Sequence, residues 1–552
     1  MTTAGIEAQP IEAVTTALES VPDQKTRRYD RQLRLWASSG QSALESAHIL
    51  VLSSSYTSTS ILKNLVLPGI GAFTILDKAI TTPSDAGNNF FLEGLESVGK
   101  PRAQEAVRLL LELNDGVKGH SIVDKDIKDV LSKEMVEEEE WLKGFSLIIA
   151  HNLEKTALDR LSALLWADVK SPPLAIVRSA GFLAEVFIQF HEHAIIESHL
   201  ESSPSLRIDK PFPALLEHSL SLDFENMDVT DHGHIPYVYI LVRVLEEWRK
   251  THDGNPPRTP AEKKEFKSII LNMRKKADEE NFEEAESQAF KCWTETVVPS
   301  DVKALFSLSS ESSPPHTKPF HLLLKALERY TTTVAPHTLP LSATLPDMKS
   351  STNQYVGLQK LYKERAVEER NVFKAILDEV IKEKGEDPSL IDDETIDSFV
   401  KHSHILRLLK GKKWGWLDES PAALTEYAQT SPKQLAIHLA LSALASLHSK
   451  HLLSATQSQT AEGQESEFRP TLEALTAEAK SMLPEGVELD ETEFDNAIGE
   501  AARSPTADLP NTAALLGGVV AQEVIKMITK QYVPIEGYCT IDLVETWTGM
   551  LV

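Results

Sequence analysis

The 552 residues carry 82 acidic against 56 basic side chains, a formal net charge of -26, and 41 % of them are hydrophobic. Such a length and apolar share suit several packed domains. The acidic balance excludes partners gripped through a phosphate backbone, which need a basic footprint, so no nucleic acid is expected.

Residues 1–24 read as a loose tail, without the basic start and apolar core of a secretory signal. From Thr26, "TRRYDRQLRLWASSGQSALESA" predicts one or two short helices. Tyr29, Leu33 and Trp36 share one face, and Asp30 is spaced to pair with Arg34. "HILVL" from His48 predicts a strand. "TSTSILKNLVLPGIG" predicts a helix capped by Ser or Thr and ended by Pro68 and Gly69. "AFTILD", ending at Asp77, predicts a second strand, and the three together form the opening of a nucleotide-binding βαβ unit.

A long loop then leads to a helix, "RAQEAVRLLLELN". "FSLIIAHN" is a buried-type strand, followed by a helix around "TALDRLSALLWADV". "PLAIVRSAGFLAEVFIQFHEHAIIESH" predicts two strands bent at Gly181. From about Leu206 long amphipathic helices dominate, interrupted by polar stretches from Ser307 and Ser454 that read as mobile loops. The acidic run from Glu137 reads as a solvated helix face. "PNTAALLGGVVAQEVIKMITKQ" is a strongly apolar helix, and "YCTIDLVETWTGMLV" supplies two closing strands. The fold class expected is α/β, with a sheet domain interrupted by a helical block. No apolar run is expected to span a bilayer, so no membrane partner is expected.

In a working nucleotide loop, glycines let the backbone approach phosphates and aim N–H groups at them. Here Ser53, Ser55 and Ser58 stand where the three glycines of GxGxxG would fall, and Tyr56 puts a ring in the phosphate path. The alternative is an ordinary strand–turn–helix; on either reading nucleotide binding is poor. Asp77 sits where a ribose-binding acid would, or simply caps a loop. Arg102 reads by itself as a solvated arginine at a helix start. His191 with His193, and His232 with His234, lack third and fourth ligands, so no metal site is expected. The only cysteines, Cys292 and Cys539, form neither a zinc spacing nor a disulfide framework. Cytoplasm and nucleus are the expected compartments.

Taken together, "YDRQLRLW", "ILKNLVLPGIGAFTILD", "DAGNNFFL", "RIDKPFP", "LQKLYKERA" and "TAALLGGVVAQEVIKMITKQ" resemble a known family over nearly the whole chain. It is the regulatory subunit of the heterodimeric activating enzyme for a Nedd/Rub-type ubiquitin-like modifier. The resemblance implies a Rossmann-like ThiF/MoeB pseudo-adenylation domain with a large, mainly α-helical insertion. Its parts are a flexible tail at 1–24, the first part of the adenylation-type domain at 25–205, the insertion at 206–485 and the domain's last part at 486–552.

The resemblance also implies a degenerate nucleotide site. The family's phosphate-binding arginine is replaced by Asn89, its lysine by Arg102, and its magnesium-binding aspartate by Leu153 or a neighbour. Asp77 alone keeps the active pattern. No cofactor is then expected in this chain's own site, ATP and magnesium being bound by the catalytic partner. Arg31 corresponds to an arginine that reaches across the dimer to that ATP, a task suited to a bidentate guanidinium. The insertion matches the region that houses the catalytic cysteine in active subunits, without such a cysteine here, so no activity is expected from the chain alone. The expected partners are the catalytic subunit, the modifier and its conjugating enzyme. Three alternatives stand beside this reading. The small subunit for a SUMO-type modifier is disfavoured by the long insertion. A dinucleotide-dependent oxidoreductase is disfavoured by the serine turn and Tyr56. A helical adaptor for signalling partners is compatible with the first role.

Overall fold

A computed structural model describes residues 23–132, 136–198, 204–308, 314–457 and 468–552. The expected tail up to residue 22, the middles of both polar stretches and the side chains of 137–139 lie outside the described residues. The first helix, α1 (Gln24–Ser46), is a single element kinked where Trp36 and Ala37 leave helical geometry, Ala37 at φ 56°. Its buried face carries Tyr29 and Trp36. The Tyr29 hydroxyl accepts a hydrogen bond from Asn114 Nδ2 at 2.9 Å, and Asp30 pairs with Arg34 at 3.2 Å.

The βαβ unit follows as β1 (His48–Val51), α2 (Tyr56–Val66) and β2 (Ala72–Leu76), with the two strands paired in parallel. The crossover from β2 contains a short helix, α3 (Pro83–Asn88), closed by a Thr82–Asp85 capping box. Next come α4 (Arg102–Leu111), β3 (Lys118–Ile122), β4 (Leu147–His151) and α5 (Lys155–Ala167). A hairpin of β5 (Leu174–Ala180) and β6 (Leu183–Gln189) turns at Gly181, whose φ of 59° suits a residue without Cβ. Two further strands, β7 (Glu192–Ile195) and β8 (Arg407–Lys410), form a separate ribbon, and β9 (Tyr538–Asp542) with β10 (Trp547–Leu551) closes the main sheet.

The eight-stranded sheet runs β10-β9-β6-β5-β4-β1-β2-β3. Its half from β3 to β5 is parallel, in the doubly wound order 3-2-1-4-5, and the rest is antiparallel. The expected α/β sheet domain with a helical block is therefore the observed architecture.

The helical block holds α6 (Tyr237–Thr251), α7 (Pro260–Asn272), α8 (Lys318–Thr333) and α9 (Thr352–Lys384), followed by α10 (Pro432–Gln457), α11 (Glu491–Arg503) and α12 (Pro510–Thr529). Residues 206–408 bury two cores of their own. From Trp414 onward the chain returns to the sheet: Leu439 and Ala440 of α10 and Phe494 of α11 share one core with Leu158 of α5 and Phe187 of β6. The helical stretch expected over 206–485 thus divides near residue 410 between an independent block and one face of the sheet. The opposite face is covered by α1, α2, α4 and α12.

By length and mean hydropathy, 1.3, α12 would suffice to cross a membrane, contrary to the expectation for the sequence. Its apolarity has a different use, since it is packed between α1 and α2. Gly517 allows that approach. A Cβ there would lie 2.9 Å from Ser60 Cβ and 3.0 Å from its carbonyl.

Several buried charges are paired. In the helical block, Arg207 and Glu369 form a double hydrogen-bonded ion pair at 2.7 Å, with both side chains under 5 % exposed. Under the sheet, the cross-strand pair Arg178–Glu185 (2.5 Å) joins His438 of α10, whose two ring nitrogens face Glu185 at 2.7 Å and Asp418 at 3.1 Å. Burial disfavours a charged His438, but the Glu185 and Asp418 carboxylates outweigh it and raise its pKa to about 9. A raised folded-state value stabilises fully below the unfolded value of ~6.5 and is lost as pH rises through the folded one. The unfolding free energy should therefore decline from about pH 6.5 to 9, and His438→Gln should flatten that decline. Urea titrations of both proteins across this window check it; parallel curves would show that His438 does not carry the effect.

Candidate functional site

Strand order reverses between β1 and β4, and in doubly wound sheets ligands bind in the crevice beyond the strand ends at that point. The turn 53–55 leaves β1 there, and His151 ends β4 beside it. Ser55 is the N-cap of α2, accepting from Ser58 N at 3.2 Å. Its Oγ also lies 2.9 Å from Ser58 Oγ and 2.8 Å from His151 Nδ1. Ser53 Oγ is 3.0 Å from Ser58 Oγ. The three serines at the glycine positions thus bond to one another rather than opening a path to the backbone. His151 Nε2 faces Ser179 Oγ at 2.9 Å, and burial, opposed by Asp508 and assisted by Arg102, lowers its pKa.

The N–H groups at the start of a helix attract anions. At α2 the anion is internal. Thr57 N and Oγ1 donate to the two carboxylate oxygens of Asp508 at 3.1 and 2.6 Å, from the loop before α12. Asn88 Nδ2 donates to the Asp508 carbonyl. The Ser54 backbone N–H, which a nucleotide loop would present to a phosphate, donates instead to Asp77 Oδ2 at 2.8 Å, and Ser54 Oγ does so at 2.5 Å.

Asp77 is buried and also accepts from Ala79 N at 2.9 Å and from Arg102 Nη2 at 2.9 Å. Burial pushes its pKa up, but the Arg102 guanidinium and these hydrogen bonds overcome that and hold it below the usual carboxylate range. Arg102 is not the solvated helix arginine that its sequence position suggests. Its side chain is 18 % exposed and binds Asp77 and Asp85, both at 2.9 Å. Asn89 is buried as well. Its Oδ1 accepts from Thr59 Oγ1 at 3.0 Å and Phe91 N at 2.9 Å, while Nδ2 reaches the Ser54 carbonyl at 3.3 Å. Tyr56 is buried at the mouth of the turn, with Phe90 edge-on at 5.3 Å.

The stretch at the end of β4, where the resemblance implies that the magnesium-binding aspartate is replaced, is His151-Asn152-Leu153-Glu154. Leu153 packs into the core under the sheet, and Asn152, at φ 45°, brackets the backbone of Ser179 at 2.9 Å. Glu154 caps α5 through Thr156 N at 3.0 Å and accepts from Ser449 Oγ at 2.7 Å. Cys292 and Cys539 are both buried, and burial raises both thiol pKa values, that of Cys539 to about 11.

Ser53, Ser55, Tyr56, Ser58, Asp77, Asn89 and Arg102 therefore gather at one crevice. Arg31 stands apart on the exposed side of α1, with no hydrogen bond or ion pair among the described residues. Ser54, Asp85, His151 and Asp508 complete the crevice and were not singled out from the sequence. Ser54 lies in the same turn and could have been included; Asp508 is 451 positions from its partner and carries no local signal. Chemically the crevice is a closed polar network whose donors at the strand and helix ends are met by the chain's own carboxylates.

No family model matches the chain. The chain is 33 % identical over 523 residues to the NEDD8-activating enzyme E1 regulatory subunit of Xenopus laevis, covering 92 % of this chain and 95 % of that protein. It is also 33 % identical over 524 residues to the NEDD8-activating enzyme E1 regulatory subunit AXL of Arabidopsis thaliana, covering 92 % and 96 %. A relative of the same description from Saccharomyces cerevisiae is 25 % identical over 389 residues, 68 % of this chain and 78 % of that one. Among solved structures, MccB of E. coli aligns over 30 % of this chain and 45 % of its own at 16 % identity, with a TM-score of 0.25.

Proposed function

Because the chain belongs to the family of NEDD8-activating enzyme E1 regulatory subunits, we propose that it works as the non-catalytic half of a heterodimer. Its catalytic partner binds ATP and magnesium, adenylates the C-terminus of a Nedd/Rub-type modifier, carries the modifier as a thioester and passes it to a conjugating enzyme. This chain scaffolds those steps in cytoplasm and nucleus and donates Arg31 to the partner's ATP. Its own crevice holds no nucleotide.

The observation that carries this reading is the crevice itself. The doubly wound frame is kept, yet the α2 N-terminus is met by Asp508 and the ribose-type acid Asp77 by Arg102. A nucleotide would have to break both contacts and bring its own negative charge beside two carboxylates. Arg31 supports the reading from outside the crevice, as an exposed cation with no ion partner among the described residues on a fixed helix. A guanidinium so presented is suited to a bidentate grip on phosphate oxygens.

The test is reconstitution. Modifier-dependent ATP–pyrophosphate exchange should require this chain and a catalytic subunit together, and this chain alone should neither catalyse exchange nor retain radiolabelled ATP. Exchange by the chain alone, or undiminished exchange by the catalytic subunit without it, would overturn the assignment.

A further inference from the structure

On the sheet face covered by α10 the chain forms a cavity of about 360 Å³, which shares no lining residue with the plugged crevice. Leu153, Leu158, Trp414, Ala445 and Met482 make its apolar wall. Arg178 and Ser442, both buried, lie deeper, while the side chains of Lys155 and Asp418 are 43 % and 40 % exposed at the rim. A concave apolar site of this size with a few convergent polar groups is the usual form of a small-molecule site.

The polar groups have unused valences. Arg178 Nε and Nη2 donate to Glu185, Nη1 donates to Ser442 Oγ at 3.0 Å, and Trp414 covers the guanidinium face at 4.8 Å. A guanidinium carries five N–H groups, and the second one on Nη1 has no acceptor among the described residues. The same holds for the Ser442 hydroxyl proton. Lys155 Nζ pairs with Asp159 at 2.5 Å and keeps further protons. Asp418 Oδ1 accepts from His438 Nε2 at 3.1 Å, and Oδ2 accepts nothing among the described residues. Burial works against a charged Asp418, but His438, with Arg178 and Lys155, holds its pKa below the usual carboxylate range. The lining thus offers three donors and one ionised acceptor.

Charge narrows the occupant. Arg178 is already balanced by Glu185 and Lys155 by Asp159, so a polyanion would find no net positive field. Among the described residues, no three His, Cys, Asp or Glu side chains are grouped to hold a metal ion. The match is a ligand that is neutral overall with its charges separated. We propose that this cavity binds a small apolar zwitterion, of the class of an aliphatic or aromatic α-amino acid. Its carboxylate meets Arg178, Ser442 and Lys155, its ammonium meets Asp418, and its side chain lies against the apolar wall. Bound there, it bridges β5, α5 and α10 and stabilises the fold by mass action.

The test uses the full-length chain, with L-leucine and L-phenylalanine as probes up to ~10 mM, the range expected for ligands of about ten heavy atoms. Calorimetry should show saturable binding to one site, and the melting temperature should rise with it. 3-Phenylpropionate, which lacks the ammonium, and 2-phenylethylamine, which lacks the carboxylate, should bind ~10-fold or more weakly than phenylalanine. Ala445→Trp fills the cavity and should abolish binding. Asp418→Asn should weaken phenylalanine ~10-fold and leave 3-phenylpropionate unchanged, a pattern that loss of folding would not produce. No saturable binding of either amino acid to the wild type overturns the proposal. So does binding that is unchanged in both variants, which would put the site elsewhere. If 3-phenylpropionate binds as tightly as phenylalanine, Asp418 does not recognise an ammonium and the zwitterion is the wrong class.

Discussion

Replacing Arg31 by alanine should slow ATP–pyrophosphate exchange by the assembled heterodimer ~100-fold while leaving the complex intact on size exclusion. Arginines supplied in trans reach larger effects in phosphoryl transfer; adenylation develops less charge on the distal phosphates, so a smaller figure is expected. The structural ground is that Arg31 makes no hydrogen bond or ion pair among the described residues. It therefore has no intramolecular task in α1 to lose, unlike Arg34, which is held by Asp30, or Arg28, which is held by Asp115. A lysine keeps the charge but not the fork, so Arg31→Lys should recover only part of the rate. Arg34→Ala, three residues away, serves as the control and should be close to wild type. Unchanged exchange in Arg31→Ala would remove this residue from the mechanism, whatever happens to assembly.

The second large effect is on stability. Arg102→Met keeps much of the aliphatic volume but removes the cation between Asp77 and Asp85. Breaking a buried pair from one side typically costs ~3 kcal/mol, because the remaining charge stays desolvated. The sign of its pH dependence is fixed by Asp77. In the wild type the folded pKa is depressed, so the pair stabilises above the unfolded carboxylate value and the benefit is lost as pH falls through the folded one. In Arg102→Met burial acts unopposed by Arg102 and moves the pKa upward. The variant then pays for a buried carboxylate at neutral pH and is relieved by protonation as pH falls. The difference in unfolding free energy between the two proteins should be largest near neutrality and should shrink on acidification. Denaturant titrations at about pH 7.5 and pH 5 measure it; a difference independent of pH would mean that removing Arg102 leaves the protonation of Asp77 unchanged across this range.

Legibility from sequence followed the range of the interactions. The βαβ unit, the Gly181 hairpin and the amphipathic helices announce themselves within a dozen residues, through apolar period and turn chemistry. The edge strand β3 does not, because its side chains are all partly or fully exposed and only backbone pairing with β2 defines it. The sequence reads the β7 residues as the continuation of the strand after Gly181; the structure ends β6 at Gln189 and starts β7 at Glu192, and its partner β8, more than two hundred residues away, is not visible from its neighbours. In the crevice, the missing glycines were legible, and so was the position of Asp77. What replaces the nucleotide was not. Arg102 looked solvated because its two carboxylate partners come from different turns of the chain, and Asp508 arrives from a distant loop. Likewise the return of the chain to the sheet near Trp414 follows from packing against β5 and β6, not from any change in local texture.

The contact between Thr57 and Asp508 spans 451 positions, and β6 gains its outer neighbour only when β9 is made. At synthesis rates of ~5–20 residues per second, tens of seconds separate the two halves of that contact on the ribosome. Until then β6 lacks its outer neighbour, and Thr57 at the start of α2 lacks Asp508. The segment carrying β9 is thus the one that covers the β6 edge. Chaperone demand should be concentrated before it appears, and a message truncated ahead of α12 would yield an insoluble product rather than a smaller working subunit.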